Sequence, residues 1–136
     1  MKKNETKAYF NFRNFDCEPD YITEKLGIEP RTAGVAGDPH PVGAGKTIPL
    51  RESLWSLQSP IEVHNPVEEH VQALLDLLEK RAEPLKEFTN KYESTLYIAI
   101  YYYEVNPAIC LDKDLIKRIA DLHIDIDFDI FCLGEV

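Results

Sequence analysis

The chain has 136 residues, 24 of them Asp or Glu and 15 Lys or Arg, for a formal charge of −9 at neutral pH. With 44% hydrophobic and 29% charged residues it has the make-up of one globular domain over 1–136, large enough to bury a core without a metal or disulfide staple. The acidity argues against nonspecific binding to nucleic acid or anionic membranes, because both need a positive field.

Lys2, Lys3 and Glu5, with no apolar run after them, predict a flexible tail over 1–6 and no signal peptide. Ala8, Phe10 and Phe12 then alternate with Tyr9, Asn11 and Arg13, the pattern of a half-buried strand. Pro19 suits the first turn of a short helix carrying Ile22 and Leu26, and Gly27 with Pro30 supplies its stop. Residues 31–50 are rich in Gly and Pro without periodicity and read as one long loop. Leu54 to Leu57 form a second strand ended by Pro60.

Asn65, Pro66 and Glu68 read as an N-cap, a first-turn proline and a capping-box partner. The helix they start carries the stripe Val67, Val71, Leu74, Leu75 and Leu78. Pro84 breaks it, and Leu85, Phe88 and Tyr92 continue on a second helical segment. Residues 95–104 are the strongest strand, with Leu96, Ile98 and Ile100 on one face and Tyr97, Ala99, Tyr101 and Tyr103 on the other. After a turn at Asn106-Pro107 and a brief strand over 108–111, Asp112 caps a helix carrying Leu115, Ile116, Ile119 and Leu122. The chain closes with Ile124, Ile126, Phe128 and Ile130 alternating with Asp125, Asp127, Asp129 and Phe131.

This order predicts an α+β fold: a ferredoxin-like βαβ–βαβ sandwich with a helical insertion between the halves. The sheet would be antiparallel or mixed, with helices mainly on one face and the other face open or covered by the long loop. Cys17, Cys110 and Cys132 are odd in number and lack a CxxC pair, which predicts reduced thiols and a cytoplasmic protein.

Several of these features fall in a recognisable order: Leu26-Gly27-Ile28-Glu29-Pro30 after a short helix, the glycine-rich loop, and Trp55 in a strand. A helix with Val67, His70, Leu74 and Leu75 follows, then the aspartate-alternating strand from Ile124 to Phe131. The order resembles the bacterial domain-of-unknown-function family numbered 4279 over nearly the whole chain. The resemblance implies a small bacterial protein and carries over no catalytic or binding residue.

Motifs with chemical content are incomplete. Gly43-Ala44-Gly45-Lys46-Thr47 looks like the end of a P-loop, but His40 stands where the first glycine is needed and Pro49 opposes a following helix. Asp125, Asp127 and Asp129 resemble the start of a calcium loop, but Ile130 and Val136 stand where glycine and glutamate are required. On a strand these side chains lie about 6.6 Å apart, too far for adjacent ones to close readily on an ion. His40, His64, His70 and His123 have no metal-ligand spacing, with His70 expected half exposed, and no GxSxG occurs. No catalytic residue, metal or cofactor is expected.

Two surfaces remain. On an open sheet, Tyr97, Tyr101 and Tyr103 would share a face with Tyr9, Asn11, Arg13, Asp125, Asp127 and Asp129, joined by Trp55. RNA-binding sheets keep basic residues beside such rings, whereas the carboxylates here would repel phosphate. A protein partner, a basic one or a second copy, fits better. The loop of residues 31–51 carries net +2, with Arg31 and Lys46, and offers a pocket lined by Arg31, Lys46 and Trp55 for an anion. The leading expectation is a noncatalytic protein-interaction module of the immunity-inhibitor type, which a positively charged partner would meet at the aspartates. The alternative is a small anionic-ligand binder or enzyme with its pocket under the loop.

Overall fold

The computed structural model describes residues 2–134. In chain order its elements are β1 (Glu5–Arg13), α1 (Pro19–Leu26), β2 (Thr32–Gly34), β3 (Pro39–Gly43), β4 (Lys46–Pro49) and β5 (Leu54–Gln58). They are followed by α2 (Val67–Glu79), α3 (Ala82–Thr89), β6 (Glu93–Tyr102), α4 (Lys113–Asp121) and β7 (Asp125–Cys132). The fold is α+β, built on a mixed five-stranded sheet in the order β2-β5-β1-β6-β7. β1 is antiparallel to both β5 and β6, β2 is antiparallel to β5, and β7 runs parallel to β6.

The period-two pattern of β1 turns Ala8, Phe10 and Phe12 toward the helices. Register then sets Leu57 and Leu96 beside Phe10, and Trp55 beside Phe12. The Phe12 ring meets Phe10 at 4.8 Å, Phe88 at 5.7 Å and Trp55 at 5.8 Å between centroids. Buried residues from all four helices close over this layer: Ile22 and Leu26, then Val71, Leu74, Leu75 and Leu78, then Leu85 and Phe88, then Leu115 and Ile119. Gly27 takes the left-handed φ of 67° that stops α1, and the Asp112 side chain accepts from Leu115 N at 2.9 Å to start α4. Arg118 of α4 donates to Glu79 and Asp76 of α2, each at 2.7 Å, and ties the two helices together.

The ferredoxin-like arrangement in its detail does not appear. A split βαβ leaves a gap between its two strands for a strand of the other half, whereas here β1 neighbours β5 and β6 neighbours β7. The two halves also differ in sense. α4 supplies the crossover that a parallel pair needs between β6 and β7. After α1 the excursion through residues 31–50 delivers β5 antiparallel to β1 instead.

That excursion is not structureless. β2 adds to the sheet edge, and β3 and β4 pair as a hairpin in which His40 faces Ile48. Gly43, Ala44 and Gly45 all have positive φ, so the P-loop look-alike is a hairpin turn, and no helix follows Thr47. Of the expected tail over 1–6, residue 1 lies outside the described residues, and Glu5 and Thr6 are already in β1 because Tyr101 and Ile100 of β6 pair with them. The brief strand expected over 108–111 is absent, and α2 begins at Val67 with Pro66 at the N-cap and no side-chain cap.

His70 is a further correction: it is 1% exposed rather than half exposed. The buried stripe of α2 is wide enough to include it, and Ser59 bonds its Nδ1 at 2.8 Å. Burial pushes its pKa below the ordinary histidine value, against smaller opposing effects from the Glu62 backbone and the Glu69 charge, which favour the protonated ring. An unfolded chain therefore binds a proton near pH 6.5 that the native chain refuses until lower pH. The contribution is complete above about pH 6.5 and is lost as pH falls toward the folded pKa. In urea unfolding followed between about pH 7.5 and 5.5, His70→Gln should lose less stability on acidification than the wild type, and equal losses would contradict this assignment.

Candidate functional site

All four helices pack on one face of the sheet, which leaves the other to the odd-numbered residues of β1. The registers align its polar side chains in rungs. One rung runs Thr32, Ser56, Asn11, Thr95 and Asp125 across the strands, and the next runs Gln58, Tyr9, Tyr97 and Asp127. The Tyr9 and Tyr97 rings stack at 6.3 Å. Arg31, just before β2, lays its guanidinium 5.8 Å from the Tyr9 ring centroid and donates to Tyr9 Oη at 3.4 Å. His40 of the hairpin completes the wall.

Of these residues Tyr9, Asn11, Thr32, Ser56, Tyr97, Arg31 and His40, together with Arg13 and Leu54, line an open-mouthed cleft of about 200 Å³ beside β1 and β5. Its lining includes two arginines and no carboxylate, in a chain of net charge −9. Arg13 is ion-paired with Glu52 at 3.7 Å, while Arg31 has no carboxylate partner among the described residues. Asn11 is buried on the cleft floor, and neither Asn11 Oδ1 nor His40 Nδ1 has a hydrogen-bond partner.

Arg31 and Tyr97 line this cleft, as do Tyr9, Asn11 and Arg13, which were expected to share the tyrosine face; the other residues expected to bind do not. Tyr97 Oη donates to Asp129 Oδ2 at 2.5 Å, and burial together with that bond raises the phenol well above its ordinary pKa. Asp129 is thereby engaged, while Asp125 and Asp127 stand exposed along the edge strand β7. Tyr101 lies further along the face, stacked on Phe131 at 5.1 Å with Lys7 over its ring. Tyr103 falls beyond the end of β6 beside Lys2. Lys46 is exposed on the hairpin, outside the cleft lining.

Trp55 is corrected outright. It is fully buried on the helix face, bonded through Nε1 to Thr23 Oγ1 at 3.0 Å, and shares neither the tyrosine face nor the pocket. The tyrosine face itself is shaded rather than sealed: Tyr9, Tyr97 and Tyr101 are each half-buried. Sequence reasoning missed Thr32, Ser56 and His40, whose only signal is polarity within or beside short strands. The aspartate row forms no metal cluster, and the described residues contain no group of three or more His, Cys, Asp or Glu placed to hold an ion.

The sequence of these elements matches a family model, the domain of unknown function DUF4279, over residues 4–133. The chain belongs to the DUF4279 family. No curated protein and no solved structure matches it. The cleft of this DUF4279 domain therefore stands on its own geometry. Among its described residues no helix is long and apolar enough to cross a membrane.

Proposed function

We propose that this DUF4279 protein is a binding module that holds a small anion in the cleft beside β1 and β5. One observation carries the reading: Arg31 stands in a cleft with no carboxylate in its lining and has no carboxylate partner among the described residues, although acids outnumber bases across the chain. A concave, cationic site in an acidic protein focuses field on anions of its own size. Arg31 is already oriented by Tyr9, so little rotamer freedom remains to be lost on binding.

Thermal unfolding tests the reading. Sodium acetate should raise Tm above that in sodium chloride of equal ionic strength, by about 1.4 kcal/mol of stabilisation at tenfold excess over Kd. Arg31→Ala should lose that difference. Identical Tm values in the two salts for the wild type would count against it.

A second reading rests on β7. Asp125 and Asp127 are exposed on an edge strand whose end also exposes Ile130, Phe131 and Leu133. This surface suits a cationic protein partner of an immunity-type inhibitor, steered by the acidic row. A pull-down at low salt from a bacterial host that recovers a basic protein with the wild type, but not with Asp125→Asn/Asp127→Asn, would favour it, and equal recovery would not.

A further inference from the structure

The two edges of the five-stranded sheet are unalike. β2 closes one side with only three residues, Thr32–Gly34. β7 closes the other with eight, keeps unbroken register with β6 from Asp125 to Cys132, and contains neither a proline nor a bulge. Among the described residues no loop or terminus forms a backbone hydrogen bond with it. A strand paired on one side turns part of its N–H and C=O groups outward, so β7 is a template for a further strand. Register with β6 places Asp125, Asp127, Asp129 and Phe131 on the open face. Tyr97 engages Asp129, whereas Asp125 and Asp127 are exposed and take part in no ion pair among the described residues. Ile130 and Phe131, at the far end, are 49% and 41% exposed.

We infer that β7 takes up an extended, basic segment of a partner protein as a sixth strand. Charge selects this occupant over a second copy of the chain. Antiparallel pairing of β7 with itself sets Asp127 opposite Asp127 or Asp129, and like charges directly opposite destabilise a strand pair. The side chains of a guest strand alternate as those of β7 do, so its open-face residues meet Asp125, Asp127, Asp129 and Phe131 in turn. Lysine or arginine suits the first two positions, a neutral residue the third, and an aromatic residue the fourth. Main-chain bonds then supply affinity and these side chains supply specificity. The inference rests on the reading of β7 as a surface for a cationic protein, and it specifies how that protein is held.

The peptide Tyr-Val-Thr-Val-Lys-Val-Lys, written for antiparallel pairing, is the probe. Titrated at low salt into the uniformly nitrogen-labelled protein, it should shift the β7 amides saturably and slow hydrogen exchange at those that do not bond to β6. Asp125→Asn/Asp127→Asn should weaken binding about three- to tenfold, the worth of two exposed cross-strand charge pairs. Shifts on β7 without slowed exchange would overturn strand addition and leave the cationic-partner reading intact. Equal binding of a peptide with glutamates in place of the lysines would overturn both. No saturable shift at millimolar peptide would overturn strand addition, and the pull-down then judges the cationic-partner reading alone.

Discussion

Replacing Trp55 with alanine should destabilise the fold by about 3–5 kcal/mol, the cost of emptying a large buried aromatic site. The whole domain has on the order of 0.05–0.15 kcal/mol per residue to lose, so this is a substantial fraction of it. The effect has two parts. The indole fills the space beside Phe12 at 5.8 Å, and its N–H satisfies Thr23 Oγ1 of α1. Trp55→Phe keeps most of the first and removes the second, and should cost about 1–2 kcal/mol, mostly for the lost bond. Urea unfolding followed by far-ultraviolet circular dichroism reads both variants. A loss below about 1 kcal/mol for Trp55→Ala would put the side chain at the surface instead.

The second large effect concerns binding. Arg31→Glu places a carboxylate where the only unpaired guanidinium among the cleft's described residues stands. It should weaken small-carboxylate binding by at least about tenfold, since a charge-assisted bond of about 1.5–3 kcal/mol is lost and repulsion replaces it. Stability should change little, because Arg31 is exposed and surface charges contribute about 0–1 kcal/mol. An affinity unchanged by the reversal would remove Arg31 from the site.

The contrast between Trp55 and Arg31 shows what local pattern reveals. Arg31 was legible as a cation in the only basic stretch past the tail. Trp55 was not placeable, because Leu54, Trp55, Ser56 and Leu57 are all buried and show no alternation of burial. Leu54 and Ser56 belong to the cleft face and Trp55 and Leu57 to the core, a division set by pairing with β1. β1 itself was readable, since its core face is apolar at every second position, and so were the Gly27 stop and the Asp112 cap. These signals sit within one element.

What the sequence hid is non-local. Tyr9 and Asn11 share a face with Arg13 by simple alternation, but their burial depends on the register with β5 and β6. The hairpin's own pattern is obscured by Pro39, Pro41 and Pro49, which remove amide donors and blur any strand signal. Strand order eluded the reading for the same reason: element order fixes which helices exist, while the ferredoxin-like interleaving depends on where each connection returns the chain. The charge asymmetry survives in sharper form. Residues 104–136 carry net −5, yet the exposed aspartates of β7 and the cationic cleft lie on different parts of one sheet.

The central claim is one of place: a small carboxylate seats beside β1 and β5 rather than elsewhere on the domain. Titrating the uniformly nitrogen-labelled protein with acetate and mapping the amide shifts reads this directly. Saturable shifts centred on Tyr9, Asn11, Arg31, His40 and Ser56, with β7 from Asp125 to Asp129 unmoved, are the predicted result. Shifts scattered over the surface, confined to β7, or absent at saturating acetate would contradict it.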